Sequence, residues 1–309
     1  MNIAFVTSEG DPERWLPSLR KALPHDRFFT WPEIPRPDSI EVALVAQPPP
    51  GELAKLTALK LIQSMWMGVD GLLADATLPR HVPIARMVDP GMVAAMGETL
   101  LAHVLDWHRH FYRYRAQQAA REWQMLPQYM ACDRTVGLLG LGELGAACAA
   151  RLVPLGFNVI GWSRRAKQLA GVECLHGDEG FAKVLERSGA LACLLPLTAQ
   201  TLGILNARHF ARLPRGACVI NVARGAHVVE RDLLAALDSG HLAHAWLDVF
   251  ETEPLPQEHP FWSHPGVTVT PHIAALTEPR TSFAVVLENI ERVRSGDTPH
   301  HLVDALSGY

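Results

Sequence analysis

Cysteine is scarce in this chain and is not paired. The 309 residues include five cysteines, an odd number, and no two of them form a Cys-x-x-Cys pair. Neither a disulfide framework nor a zinc site is indicated, because both need cysteines at close or matched spacing. The sequence therefore predicts a protein of a reduced compartment, which we expect to be the cytoplasm, and no bound metal.

Long apolar runs and blocks of basic residues are also missing. No apolar stretch reaches the about 18 residues that suggest a membrane span, and no basic region precedes the short apolar run at the N-terminus. Lys and Arg (28) are balanced by Asp and Glu (32), which gives a net charge of -4. Nucleic-acid binding needs a concentrated basic face, so we expect neither a nucleic acid nor a membrane as partner.

Short apolar runs alternate with helical patterns almost throughout the chain, which predicts βα units and parallel sheets. The length fits two domains. The strands predicted in the first third are Ile3–Thr7, Val42–Ala46 and Lys60–Met65. Those predicted later are Thr135–Leu139, Asn158–Trp162, Ala190–Leu195, Ala217–Val222, His244–Val249 and Val267–Thr270. This second set matches a doubly wound sheet. One long helix is predicted from about Met96 to Gln118, and a last helix over Ser282–Arg294.

A glycine-rich turn follows the first strand of the second set. Its Gly-x-Gly-x-x-Gly pattern runs over Gly140-Leu141-Gly142-Glu143-Leu144-Gly145 and opens a helical stretch. Strand, turn and helix in this order are the context that a dinucleotide-binding turn requires. Gly140 permits the tight turn, Gly142 lets the backbone approach a pyrophosphate, and Gly145 lets helix and strand pack closely. We therefore expect a pyrophosphate on the N–H groups of this helix N-terminus.

The end of the next strand bears on the choice of nucleotide. An NAD site places Asp or Glu about 20 residues after the glycines, where it accepts hydrogen bonds from the ribose. Here the strand is followed by Ser163-Arg164-Arg165-Ala166-Lys167, and no carboxylate appears before Glu173. Ser163 can donate to a phosphate oxygen, and Arg164 offers a fork that matches a 2′-phosphate. The turn predicts NADP(H) in preference to NAD(H), the alternative being an exposed basic turn without a ligand.

Three further segments carry polar side chains where predicted strands end: Asn221-Val-Ala-Arg224-Gly225, Leu247-Asp248-Val-Phe-Glu251-Thr-Glu253-Pro254 and Thr270-Pro271-His272. Ligands bind at the carboxyl edge of a parallel sheet, so we expect Arg224, a carboxylate and His272 to meet there. Such a set suits the reduction of a 2-oxo acid. Arg224 can clamp the carboxylate and polarise the carbonyl, while protonated His272 delivers a proton to the oxygen. A carboxylate beside the imidazole orients the ring, and both Glu251 and Glu253 are candidates.

With these motifs the chain resembles the D-isomer-specific 2-hydroxyacid dehydrogenase family and, within it, the reductases of glyoxylate and hydroxypyruvate. The resemblance covers nearly the whole length. Besides the glycine turn it rests on Leu213-Pro-Arg-Gly216, Asn221-Val-Ala-Arg224-Gly225, Leu247-Asp-Val-Phe250, Glu253-Pro-Leu-Pro256, His259-Pro-Phe-Trp262-Ser-His-Pro265 and Thr270-Pro-His272. It implies an α/β fold in which a Rossmann doubly wound cofactor domain (96–275) is inserted into a smaller flavodoxin-like α/β substrate domain (1–95 and 276–309). It also implies a homodimer built around the long helix.

The same resemblance implies roles for individual residues. Arg224 binds and polarises the substrate, His272 is the acid/base, and Glu253 is its carboxylate partner. The implied cofactor contacts beyond the glycine turn, Ser163, Arg164 and Lys167 are Leu195, Pro196, Thr201, Val222, Ala223 and Asp248. Of these, Asp248 is expected to contact the nicotinamide carboxamide.

A substrate loop is implied at Trp66-Met67-Gly68-Val69, whose backbone amides would hold the substrate carboxylate. The family commonly has small residues where Trp66 and Met67 stand. These two side chains would narrow the pocket toward glyoxylate or line it for a larger substrate; alternatively, Trp66 packs into the domain core. His227 and Trp246 also differ from the residues usual in the family.

The hypothesis that combines these observations is an NADPH-dependent reductase of small 2-oxo acids, glyoxylate or hydroxypyruvate. One alternative is a dehydrogenase for a larger 2-hydroxy acid. Another is a nucleotide-sensing binding protein without turnover, by analogy with the related corepressor branch. A formate-type enzyme is disfavoured, because formate enzymes of this group have Gln where Glu253 stands.

Overall fold

The computed structural model describes residues 1–304, which divide into two units. Unit 1 comprises Met1–Met92 and the part of the chain from Thr277 onward, and unit 2 comprises Val93–Leu276. The chain thus leaves unit 1 and later returns to it. The predicted boundaries, 95/96 and 275/276, lie close to these positions. Residues 305–309 of the predicted substrate domain lie outside the described part.

The strands in chain order are β1 (Asn2–Thr7), β2 (Arg27–Thr30), β3 (Val42–Ala46), β4 (Leu61–Ser64), β5 (Ile84–Ala85), β6 (Thr135–Leu139), β7 (Asn158–Trp162), β8 (Val172–Leu175), β9 (Ala190–Cys193), β10 (Ala217–Asn221), β11 (Leu242–Leu247) and β12 (Val267–Val269). The helices are α1 (Leu16–Ala22), α2 (Asp70–Ala74), α3 (Pro90–His108), α4 (Phe111–Ala120), α5 (Glu143–Leu152), α6 (Gly177–Arg187), α7 (Ala207–Phe210), α8 (Glu230–Asp238) and α9 (Pro279–Ser295). None of them, within residues 1–304, has the length and apolarity of a membrane span.

Unit 1 is built on a parallel sheet with the strand order β2-β1-β3-β4-β5, which is the order of flavodoxin-like folds. The inner strands are apolar and buried, as in Ile3, Leu44 and Ile62. Helix α9, near the end of the chain, packs against β4, where Asn289 Nδ2 donates to Gln63 Oε1 at 2.7 Å. Both side chains of that bond are fully buried.

Unit 2 is built on a parallel sheet with the order β12-β11-β10-β9-β6-β7-β8. From the central strand β6, strands β7 and β8 extend in one direction and β9 to β12 in the other. This is the Rossmann arrangement, and its reversal of direction between β6 and β9 places ligands at the carboxyl ends of these strands. The core on the two faces of the sheet includes Leu138, Leu191, Val219 and Ile220, all fully buried. The predicted α/β fold class is confirmed.

The prediction of one continuous helix from about Met96 to Gln118 is wrong, because two helices, α3 and α4, occupy this range. His110 adopts a left-handed conformation (φ 59°) between α3 and α4, which a helix interior does not tolerate. The ring Nε2 of His110 lies 3.0 Å from the carbonyl oxygen of Pro127, so a tertiary contact holds the residue at this break.

Helix α3 also begins earlier than predicted. Pro90 is its first residue, a position where the missing N–H of proline costs nothing. The buried Asp89 caps the helix, because its Oδ1 accepts hydrogen bonds from the backbone of Gly91 (2.8 Å) and Met92 (3.1 Å).

Candidate active site

Strands β10, β11 and β12 are adjacent and parallel, so their carboxyl ends lie along one edge of the sheet in unit 2. Arg224 follows the end of β10, Asp248 directly follows β11, and His272 follows β12. The three polar segments singled out from the sequence therefore emerge at the same edge.

His272 is paired with Glu253. Its Nδ1 lies 2.7 Å from Glu253 Oε2, and Glu253 Oε1 accepts a hydrogen bond from the backbone N–H of Phe250 at 2.9 Å. The partner is thus Glu253 rather than Glu251. Because Nδ1 is engaged and the His272 side chain is 48% exposed, Nε2 is the nitrogen that can face a substrate.

The backbone around His272 is held by Asp248. His272 itself adopts a left-handed conformation (φ 53°), and its N–H donates to the carbonyl oxygen of Asp248 at 2.8 Å. The Asp248 carboxylate is buried and accepts from Thr270 Oγ1 (2.6 Å), Ile273 N (3.0 Å) and Ala274 N (2.8 Å). Asp248 therefore secures the segment that carries His272; its expected contact to a nicotinamide stays a prediction.

Arg224 is partly exposed, and buried side chains hold its backbone. Its carbonyl oxygen accepts from Asn221 Nδ2 at 2.9 Å, and its N–H donates to His227 Nδ1 at 3.2 Å. A Cβ on Gly225 would lie 1.8 Å from the carbonyl carbon of Phe250, so only glycine lets the Arg224 segment contact the segment that leads to Glu253. The roles of Asn221 and His227 were missed, although Asn221 belongs to a quoted motif and His227 was singled out as unusual.

The glycine turn between β6 and α5 has distinct geometry at each glycine. Gly140 has φ 103°, and a Cβ there would lie 2.8 Å from the carbonyl oxygen of Leu194; a Cβ on Gly145 would lie 1.9 Å from that of Gly140. Gly142 has φ -77°, and a Cβ there would contact no protein atom within 4 Å. The protein's own packing requires Gly140 and Gly145 but not Gly142. The turn is therefore shaped to bring backbone close to a bound phosphate at the start of α5, and it fits a dinucleotide.

The basic turn follows β7, at the same edge of the sheet. Ser163 is buried, and its Oγ donates to the carbonyl oxygen of Arg165 at 2.8 Å. Glu173 lies on β8 and forms a two-point ion pair with Arg187 (2.6 and 2.8 Å), whose guanidinium holds the pKa of Glu173 below its ordinary value. The first carboxylate after the turn is thus already paired and is not placed as an NAD ribose acceptor.

The remaining predicted cofactor residues of unit 2 follow strands β9 and β10. Leu195 is buried after β9, and the carbonyl oxygen of the next residue, Pro196, accepts from Thr201 Oγ1 at 2.7 Å. Val222 and Ala223 are buried directly after β10. Arg164 and Lys167 are exposed in the basic turn.

The predicted substrate loop lies in unit 1, after β4. The Trp66 side chain is 36% exposed, so the alternative in which it packs into the domain core is wrong. The N–H of Trp66 donates to Ser64 Oγ (3.1 Å), and its carbonyl oxygen accepts from Met87 N (3.0 Å). Val69 is buried at the start of α2.

Comparison with known proteins places the chain in a family. The model of the D-isomer specific 2-hydroxyacid dehydrogenase NAD binding domain matches residues 101–274. The chain belongs to this family. A glyoxylate/hydroxypyruvate reductase A from Serratia proteamaculans is 45% identical over the full length of both chains, and one from Yersinia enterocolitica is 42% identical, also over the full length of both.

Solved structures of the 2-hydroxyacid dehydrogenase family agree with the fold. A member from Xanthobacter autotrophicus Py2, in complex with NADPH and MES, has a TM-score of 0.95 and 40% identity, covering 100% of this chain and 99% of that one. An NADPH-dependent glyoxylate/hydroxypyruvate reductase from Sinorhizobium meliloti, in complex with NADP and sulfate, has a TM-score of 0.92 and 38% identity with the same coverage.

Proposed function

We propose that this chain reduces small 2-oxo acids, glyoxylate and hydroxypyruvate, to 2-hydroxy acids with NADPH. The observation that carries the proposal is the His272–Glu253 pair (2.7 Å) at the sheet edge that also bears Arg224. The names of the relatives, glyoxylate/hydroxypyruvate reductase A, support the substrate class. The NADPH and NADP in the related structures support the cofactor.

The cofactor site would be formed by unit 2 alone. The glycine turn Gly140–Gly145 would hold the pyrophosphate, and Ser163, Arg164 and Lys167 would face the 2′-phosphate. The ion pair of Glu173 with Arg187 supports this choice, since the first carboxylate after the turn is not free to accept from a ribose 2′-hydroxyl. When bound, NADPH supplies the hydride that is added to the keto carbon of the substrate.

His272 would hold and transfer the proton. Glu253 fixes the imidazole through Nδ1, so the proton that completes the reduction leaves from Nε2 and joins the former carbonyl oxygen. One hydride and one proton thus convert the ketone of the substrate into the hydroxyl of the product.

Arg224 would bind the carboxylate of the substrate and polarise the neighbouring carbonyl. The Trp66–Val69 loop of unit 1 stays a separate proposal; within it the N–H of Trp66 donates to Ser64 Oγ, so its candidate carboxylate-binding amides are those of Met67, Gly68 and Val69. The exposed Trp66 side chain would restrict this loop to small substrates.

A substrate panel with both cofactors tests the proposed function. We expect NADPH oxidation at 340 nm with glyoxylate and hydroxypyruvate, slower reaction with larger 2-oxo acids, and weak activity with NADH. Tight NADPH binding without turnover on any 2-oxo acid would contradict the proposal and favour a nucleotide-sensing protein. Turnover only with larger 2-oxo acids would agree with the proposed mechanism but contradict the proposed substrates.

We also propose that the protein forms a homodimer through α3, α4 and the segment after them. Large apolar side chains of this region are exposed: Phe111, Trp123, Met125 and Met130. Trp123 is fully exposed, which is costly for so large an aromatic surface unless a partner covers it. Light scattering should give a mass twice that of the chain, and Trp123→Glu should shift the protein toward monomer; a monomeric wild type would contradict this proposal.

A further inference from the structure

His227 lies at the centre of a hydrogen-bonded chain in unit 2 to which the proposed function assigns no role. Its side chain is fully buried. Nδ1 lies 3.2 Å from the backbone nitrogen and 3.1 Å from the carbonyl oxygen of Arg224, and Nε2 lies 3.3 Å from the carbonyl oxygen of Pro196. One imidazole thereby connects the segment after β10 with the segment after β9.

Both ring nitrogens of His227 lie close to a carbonyl oxygen, Nδ1 to that of Arg224 (3.1 Å) and Nε2 to that of Pro196 (3.3 Å). A carbonyl oxygen can only accept, so an Nε2–H would donate to Pro196 and an Nδ1–H would donate to the carbonyl oxygen of Arg224. An unprotonated Nδ1 would instead accept from the N–H of Arg224. In either form the ring bonds the backbone of Arg224 through Nδ1.

The chain of hydrogen bonds extends beyond His227. The carbonyl oxygen of Pro196 also accepts from Thr201 Oγ1 (2.7 Å), and Thr201 Oγ1 accepts from the N–H of Thr198 (2.9 Å). On the other side, Asn221 Nδ2 donates to the carbonyl oxygen of Arg224 (2.9 Å). Buried side chains thus bind both the N–H and the carbonyl oxygen of Arg224.

The backbone of His227 is fixed independently of its ring. Its carbonyl oxygen accepts from Leu205 N at 2.8 Å, and Val228 forms a parallel bridge with Leu205. An aliphatic residue at position 227 would keep these bonds and fill the space. It would remove the bond between Nδ1 and the backbone of Arg224, and the position of the guanidinium depends on that backbone.

We propose that His227 is a positioning residue for substrate binding, which fixes Arg224 against the 196–201 segment. The inference rests on the proposed function, in which Arg224 binds the carboxylate of a 2-oxo acid. His227 acts through the backbone of Arg224.

Substitutions that replace one ring nitrogen at a time test this role. Asn places an amide oxygen near the position of Nδ1, Gln places an amide nitrogen near that of Nε2, and Leu supplies neither. In His227→Leu we expect the KM for glyoxylate to rise about tenfold, the factor of one lost hydrogen bond of ordinary strength. NADPH affinity should stay within about twofold, because the proposed role concerns Arg224.

The rescue order distinguishes positioning from a general structural effect. His227→Asn should recover much of the KM, because its side-chain amide can accept from the N–H of Arg224 or donate to its carbonyl oxygen, whereas His227→Gln should resemble His227→Leu. The matched control is His244→Leu, which removes another buried histidine, bonded to Thr268 Oγ1 (2.8 Å) on β12, and should leave the KM unchanged. Equal losses in the Asn and Leu variants, or an unchanged KM in His227→Leu, would overturn the inference.

A wild type that binds NADPH but reduces no 2-oxo acid would overturn the proposed function, and with it the role of His227 in that reaction.

Discussion

The two units of this protein have related parallel sheets but different first βα turns. In unit 1, β1 is followed by Ser8-Glu9-Gly10-Asp11; Ser8 Oγ donates to the carbonyl oxygen of Gln47 (2.6 Å) and Asp11 Oδ1 accepts from Glu13 N (3.0 Å). In unit 2, the turn after β6 is the glycine turn Gly140–Gly145. The turn of unit 1 is closed by its own side chains and carries two carboxylates, which repel a phosphate. Topology alone therefore does not create a nucleotide site; the residues of one turn do.

Among the substitutions that test this comparison of the two units, the largest effect is expected on turnover. Because unit 2 carries the proposed acid, His272→Ala should lower kcat by about two to four decades, the usual scale of general acid–base catalysis. NADPH affinity should change little, since the glycine turn is untouched. Stopped-flow reduction of glyoxylate and a fluorescence titration of NADPH measure the two quantities. Near-normal turnover in this variant would refute the proposed mechanism.

The comparison of the two turns can be tested with one glycine from each. Gly142→Ala should leave stability unchanged, because a Cβ there meets no protein atom within 4 Å and φ is -77°. It should weaken NADPH binding about 100-fold, since the methyl group takes the place of a phosphate oxygen. The control Gly10→Ala should cost about 1 kcal/mol of stability, because φ is 95°, and leave binding unchanged. Calorimetry measures the stability of the two variants, and titration measures their affinity for NADPH. Equal NADPH affinity in both variants would contradict the assignment of the glycine turn as the phosphate site.

Acid should destabilise unit 2 before unit 1. Burial lowers the pKa of His244 to about 4 and also lowers the pKa of His103, His108 and His110, all in unit 2. The unfolded chain takes up these protons near pH 6.5, so the stability is fully present above that pH and is lost as the pH falls toward 4. His244 alone should cost about 2 kcal/mol at pH 5.

Hydrogen exchange at pH 7.5 and 5 can resolve this loss for each unit. Peptides of β9 to β11 should lose protection at pH 5, while those of β1, β3 and β4 keep it. In His244→Leu the loss should be smaller. An equal loss in both units would show that these buried histidines do not set the acid sensitivity.

The smallest expected effect concerns the choice of cofactor. Arg164→Ala should lower kcat/KM for NADPH about tenfold and leave that for NADH nearly unchanged, because the guanidinium would face only the 2′-phosphate. Arg165→Ala, in the same turn, is the control. If both cofactors were affected equally, Arg164 would contribute general attraction rather than selectivity.

The strands that sequence patterns missed share a position. β2 and β5 lie at the two edges of the sheet in unit 1, and β8 lies at an edge of the sheet in unit 2. β2 and β8 contain no fully buried residue, and β5 has only two residues, so none offers the continuous apolar run of a central strand. Apolar patterning detects a strand only where the apolar run is long enough, and β2, β5 and β8 lack such a run; the edge strand β12, by contrast, was predicted from Val267–Thr270.

The features of the candidate site also divide into those that a local sequence pattern reveals and those that it does not. Gly140, Gly145, Arg224 and His272 stand in motifs whose spacing points to them, whereas the choice of Glu253 over Glu251 came from the family resemblance. The hydrogen bonds of Asn221, His227 and Asp248 were not predictable, because they join residues to the backbone of neighbouring segments. The break of the long helix at His110 has the same origin, a tertiary contact to Pro127.

The return of the chain to unit 1 has a consequence for biosynthesis. Arg294 pairs with Asp26 and Asn289 with Gln63, so the end of the chain completes a unit that its beginning started. Residues 93–276 leave the ribosome while β1 to β5 still lack α9. We expect unit 2 to become protease-resistant on a stalled nascent chain that is just long enough for residue 276 to have left the exit tunnel of the ribosome. The N-terminal 92 residues should become resistant only when α9 has emerged.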